Sequence, residues 1–313
     1  MNSLDDIWRE LEAAGQATAH KRVDAVHPID LYAGLDNNMT RELVLVADAV
    51  PTDIARRFKA FEVTTTVRND GRHALSVRLR RPELSRLFSH LCDDLVEASR
   101  GCAKQDSVRF VADRIARWEQ LLSRDRDELL GEEGLRGLVA ELVFLKNFAI
   151  PEKGYMEAVH AWRGPLGSSH DFQFATTAVE VKSVTEALIA VISSAEQLDS
   201  SGERLFLSAV RLHGTTEASA DSFSVAELVG SLRDVFKPDA TVTADFEDKL
   251  SLVGYTNARE YENRRFVVKE TRHFEIEPHF PRIVPSMLVA GIVSVGYGID
   301  LRHCEPFRRP TVF

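Results

Sequence analysis

Cysteine is scarce. Cys92, Cys102 and Cys304 are the three in 313 residues, an odd set without C-x-x-C spacing, which argues against a disulfide framework or a structural zinc site and leaves ordinary reduced thiols. No run reaches the roughly 18 uninterrupted apolar residues that a membrane-spanning helix needs. The N-terminal MNSLDDIWRELEAAG reads as an acidic amphipathic helix rather than a signal peptide, so a cytoplasmic protein without membrane contact is expected. There is no G-x4-G-K-[ST] and no G-x-S-x-G, which removes P-loop and nucleophile-elbow chemistry. Gly296-Tyr297-Gly298 is a lone GxG without its third glycine. His160, His170, His273, His279 and His303 never fall at H-x3-H spacing, which discards a histidine-built zinc site. Positive charge is also short: 39 Lys and Arg stand against 48 Asp and Glu, a net charge of -9. Proteins that coat nucleic acid usually carry a basic footprint. Here it is only local, in Arg56-Arg57 with Lys59, in Arg78 with Arg80-Arg81, in Arg264-Arg265 and in Arg308-Arg309, and such groups are read first as solvated faces.

What is present suffices for a buried core, with 44% apolar residues. Leu4, Ile7, Trp8 and Leu11 share one side of a first helix. Residues 42–50, 61–69 and 73–80 are β-branched segments, the last two joined by a hairpin turn in NDGRH at 69–73. Helical patterns follow at about 82–99, 105–123 and 132–148, then strands at about 171–175, 178–184 and 187–192, a short helix after Ser193 and a strand at 204–212. Helices at 223–236 and 242–250 lead to strands at 264–277 and 287–301. The expected organisation is an antiparallel β module over 1–81, connecting helices over 82–130, and a functional domain with a C-terminal extension over 131–313.

The informative stretch is GPLGSSHDFQFATTAVEVKSV, residues 164–184. A hairpin turning at Thr176-Thr177 pairs Ala175 with Ala178 and puts Phe172, Phe174, Val179 and Val181 on an apolar face. Asp171, Gln173, Glu180 and Lys182 then share the other face, with Asp171 opposite Lys182 and diagonal to Glu180. Two acids and an amine converging on one face suit a hard divalent cation, which takes oxygen ligands from one or two carboxylates plus phosphate. The bland alternative is an exposed hairpin with a cross-strand ion pair worth about 0.2–1 kcal/mol. In GEEGLRGLVAELVFLKNF, residues 131–148, Glu141 lies at the edge of a stripe formed by Leu135, Leu138, Val139, Leu142 and Leu145. Gly134 and Gly137 lie within about 40° of it on the helical wheel, which allows close approach of another element on that side, and Phe144 and Phe148 would desolvate it.

Gly134-Leu135-x-x-Leu138-x-x-Glu141, Trp162-x-Gly164-Pro165 and Asp171-x8-Glu180-Val181-Lys182 together resemble the PD-(D/E)XK nuclease superfamily. More narrowly, they resemble the bacterial PD-(D/E)XK motif proteins of restriction and phage-defence gene neighbourhoods. His170 stands where that motif has proline. The resemblance implies an α/β (α+β) fold, a restriction-endonuclease-like αβββαβ core carrying the N-terminal β module, its helices and an α/β extension. It implies a Mg²⁺-dependent phosphodiesterase, Mn²⁺ substituting, with Asp171, Glu180 and Lys182 as the motif triplet, Glu141 as the helical acid and metal ligand, and Gln197 as a polar helix residue near the site. DNA is the expected substrate, with defence-system proteins or a second copy of the chain as partners. Two rivals stand beside this: a binding or scaffold subunit of the same fold without turnover, and a hydrolase of RNA or nucleotides.

Overall fold

The computed structural model describes residues 4–50, 56–57, 61–123, 130–200, 202–255, 261, 263–289, 291–292 and 294–313, and of residues 56, 57, 83, 117 and 119–123 the backbone alone. Contacts divide the chain into two units, Met1–Ser123 and Arg124–Phe313.

In the first unit, helix α1 (Leu4–Ala13) buries Leu4, Ile7, Trp8 and Leu11, and the Trp8 indole donates to the carbonyl oxygens of Gly34 and Glu42. Strands β1 (His20–Arg22), β2 (Asp30–Leu35), β3 (Arg41–Ala47), β4 (Arg56–Arg57), β5 (Phe61–Val67) and β6 (His73–Leu79) form one antiparallel sheet in the order β1-β2-β3-β6-β5-β4. The β5–β6 turn falls where NDG predicts it. Gly71 takes φ 80°, and the Asp70 carboxylate accepts from Arg72 N at 3.0 Å. The first two strands had no clear sequence signal. Helices α2 (Ser85–Ala98) and α3 (Ser107–Ser123) pack within this unit. They are joined by buried Asp94, which accepts from Arg114 Nε at 2.7 Å and Trp118 Nε1 at 2.9 Å.

The second unit opens with α4 (Glu132–Phe144), a π turn at Leu145–Ala149 and α5 (Ile150–Ala161). Helix α5 was not anticipated. Pro151 occupies its first turn, and Gly154 breaks it with φ 78° and ψ 158°, so the local punctuation reads as loop. Then come β7 (Phe172–Gln173), β8 (Thr177–Val184), β9 (Ile189–Ile192), β10 (Arg204–Thr215), β11 (Phe223–Ser224), α6 (Val225–Phe236), α7 (Ala240–Val253), β12 (Arg265–Glu275), β13 (Tyr297–Asp300) and β14 (Arg308–Arg309). The sheet runs β11-β12-β10-β8-β7, with β14 on β12; β8 and β10 are parallel and the other pairs antiparallel.

Both faces of this sheet are covered, as a parallel pair requires. Val179, Val181, Phe206 and Val210 pack with α4 to α7, while Ala178, Val184, Leu205 and Leu207 pack with Ala190, Ile192 and Ile299. Three expectations need correction. The helix after Ser193 is a single 3-10 turn, Ala195–Leu198, because only four residues separate Ser194 from Asp199. The third strand, β9, leaves the sheet and pairs with β13. The strand expected over 287–301 shrinks to Tyr297–Asp300, since Pro285, Gly291 and Gly296 punctuate what precedes it. The architecture is the expected mixed α/β fold with an antiparallel N-terminal sheet. No described helix is long and apolar enough to cross a membrane.

Candidate active site

The β7–β8 hairpin sets the site. Phe174 N donates to Thr177 O at 2.8 Å, so the turn residues are Ala175-Thr176, and the ladder pairs Phe172 with Val179 and Gln173 with Ala178. The expected Ala175–Ala178 pairing is therefore displaced along the strands. The displacement keeps the side-chain parity, so each residue stays on its assigned face. Asp171 is brought level with Glu180 rather than with Lys182. Aromatic packing accounts for the choice: Phe172 lies 4.8 Å from Phe144 and Phe174 4.9 Å from Phe313, centroid to centroid, and this turn seats both rings in the core.

On the opposite face the charged groups gather out of solvent. Glu180 is 1% exposed, and the Lys182 amine lies 2.6 Å from its Oε1, at an angle that leaves both carboxylate oxygens without a formed hydrogen bond. Asp171 Oδ2 accepts from Val181 N at 2.7 Å, and Glu141 Oε2 accepts from the Trp162 indole at 2.7 Å. The exposed-hairpin alternative is thereby overturned, because an amine only 16% exposed is not a solvated cross-strand partner.

Burial and mutual repulsion dominate the electrostatics. Desolvation, then the neighbouring Asp171 charge, pushes the Glu180 carboxyl up to about 8. Desolvation and Asp171 likewise hold Glu141 well above the usual carboxylate range against the indole hydrogen bond. Asp171 is raised by desolvation, although Lys182 and the Val181 N–H oppose the rise. For Lys182 desolvation pulls down, but Glu180 and Asp171 outweigh it and the amine is raised. Three acids share one cation.

The loop before the hairpin closes this group. Arg163 N and Gly164 N both donate to Asp171 O, at 2.7 and 2.9 Å. A Cβ on Gly164 would stand 2.7 Å from Asp171 Oδ1 and 3.0 Å from Glu141 Oε2, closer than side chains tolerate. Gly164 thus lets the loop backbone pass close beside the two carboxylates. Gly134 and Gly137 do not have the role expected of them: a Cβ on Gly137 would meet nothing within 4 Å, and one on Gly134 only Leu130.

The donor set fits a hard divalent cation. Glu180 offers two buried oxygens whose near partner is the Lys182 amine, 2.6 Å from Oε1, and Asp171 Oδ1 lies on the side of the Gly164 backbone. No group of three or more His, Cys, Asp or Glu residues suited to enclosing an ion occurs among the described residues. Gln197 makes its bond elsewhere, its Oε1 accepting from Ser193 N at 2.8 Å. Trp162 stands in the motif that carries the resemblance but was given no role there; its indole holds an acid 21 residues away, a contact that spacing alone does not signal.

A family model described as "Putative PD-(D/E)XK family member, (DUF4420)" matches residues 4–302. No curated protein matches the chain, and no solved structure matches it.

Proposed function

The chain belongs to this PD-(D/E)XK family, and from that premise we propose that it is a Mg²⁺-dependent phosphodiesterase, a DNA endonuclease of a bacterial restriction or defence system. The observation carrying this is the buried face on which Asp171, Glu180 and Lys182 meet, with Glu141 drawn in from α4. A divalent cation held by Asp171 and Glu180, with Glu141 as the additional acid, would supply a Lewis acid for the phosphate and lower the pKa of a water. Mn²⁺ would serve in place of Mg²⁺. Lys182 stays charged because the acids around it favour its ammonium form, and it donates toward the place where phosphate charge builds. Phe172, Phe174 and Val181 support the hairpin from behind, and the covered sheet limits water around the acids.

Replacing Asp171 or Lys182 by alanine should abolish Mg²⁺-dependent cleavage in protein that circular dichroism shows still folded; cleavage that survives both changes rejects the assignment. Plasmid, single-stranded DNA, RNA and small phosphodiesters in one assay separate the DNA reading from a nucleotide or RNA hydrolase. A second reading, a binding subunit of the same fold without turnover, is favoured by the net charge of -9 and by the amine already set against Glu180. Calorimetric titration with Mn²⁺ discriminates, since a degenerate site takes up no ion.

A further inference from the structure

We infer that Trp162 is a positioning residue of this site, and that the segment Trp162-Arg163-Gly164 fixes the spacing of two of its acids. The inference rests on the metal-dependent function proposed above. Trp162 is fully buried and ends α5 with extended backbone, φ -72° and ψ 95°. Its indole is a donor with no acceptor capacity, and it reaches Glu141 Oε2 at 2.7 Å. The next two peptide N–H groups grip the Asp171 carbonyl oxygen, and Gly164 then passes between the two carboxylates where a side chain would collide with both. Three consecutive residues therefore touch Glu141, Asp171 and the gap between them.

The type of donor matters. An arginine or lysine in place of the indole would neutralise Glu141, and its charge would no longer be available to a cation. A neutral N–H orients the carboxyl group without supplying a counter-charge, so Glu141 stays open to a cation. The indole is itself anchored. Val159 O accepts from Trp162 N at 3.2 Å and from the buried Lys249 amine at 2.6 Å, and Phe246 of α7 lies 5.9 Å from the Trp162 ring.

Trp162→Phe keeps an aromatic ring and removes the N–H. Calorimetric titration of the full-length chain with Mn²⁺ should show binding on the order of 10–100-fold weaker than wild type, the usual loss on removing a partner that orients a metal ligand. Glu141→Gln should weaken binding comparably, and the double variant Trp162→Phe with Glu141→Gln should be no weaker than Glu141→Gln alone, because both changes remove one interaction. Trp162→Phe binding Mn²⁺ as tightly as wild type, or additive losses in the double variant, would overturn the inference. Should Trp162→Phe fail to fold, Gly164→Ala tests the same spacing by intruding on both acids: weaker Mn²⁺ binding upholds the inference and unchanged binding refutes it. A wild-type chain that takes up no Mn²⁺ overturns this inference together with the function beneath it, whereas an unaffected Trp162→Phe overturns this inference alone.

Discussion

Substituting Glu180 by glutamine should make the metal-free protein more stable. In the fold the carboxyl is moved from 4.5 up to about 8, first by desolvation and then by Asp171. Below the lower value the acid is protonated whether the chain is folded or not, so its ionisation costs nothing. Between the two values the unfolded chain has released the proton that the folded chain keeps, so stability falls as pH rises; above the upper value the penalty is complete. At about 1.4 kcal/mol per pH unit the interval is worth on the order of 5 kcal/mol. For a unit of this size each kcal/mol moves the thermal midpoint by about 2–4 °C. Melting curves of wild type and Glu180→Gln between about pH 5 and about pH 9 should coincide at the acid end and separate by roughly 10 °C at the alkaline end, with the variant higher. Lys182 keeps Asp171 and Glu141 as counter-charges in the variant, so the amine is not left isolated. Curves that stay parallel, or a variant less stable at every pH, would show that the Lys182–Glu180 pair is a stabilising ion pair and that the carboxylate carries no penalty.

Divalent ions should reverse the order. Mn²⁺ at a hundred times its dissociation constant should stabilise wild type by about 2.7 kcal/mol and Glu180→Gln hardly at all, read as the shift in melting midpoint. Phe172→Ala removes the fully buried ring that seats the hairpin against Phe144 and should cost about 3–5 kcal/mol in urea unfolding. Asp94→Ala leaves the buried Arg114 guanidinium without its carboxylate and should cost a similar 3–5 kcal/mol, seen as a lower urea midpoint with unchanged slope. DNA binding should depend on salt only weakly, with a log-log slope of about -3 or shallower, because the arginines flagged in the sequence are largely engaged by acids.

That last expectation shows where sequence reading stops. Arg78, in the second basic group, faces Asp36, Glu42 and Glu62. Arg265 is held by Glu227, and Arg308 and Arg309 meet Glu270, Glu305, Glu275 and Glu277. Apart from Glu305, three residues before Arg308, the partners come from other strands, from helix α6 and from loops, so the chain order of the basic residues does not reveal most of their neutralisation. The side chains of Arg56 and Arg57, and Lys59 as a whole, lie outside the described residues.

Period and parity were legible, and long-range pairing was not. The Glu-Val-Lys alternation put Glu180 and Lys182 on one face whatever the register, because they are two apart on one strand, and the two-residue change of register kept Asp171 on that face. The register itself depends on how Phe172 and Phe174 pack against residues as distant as Phe144 and Phe313, and no local turn rule contains that. The β9–β13 pairing joins residues more than a hundred positions apart and leaves no periodic trace. The glycines make the same point within the site. Gly137 has the right helical phase to face Glu141, yet space is open around it; Gly164, outside any helical pattern, stands between two carboxylates. Close approach is a property of three-dimensional neighbours, so a glycine is evidence for a site only once the atoms that crowd it are known. At Gly164 those atoms are two acid oxygens, one from Asp171 and one from Glu141.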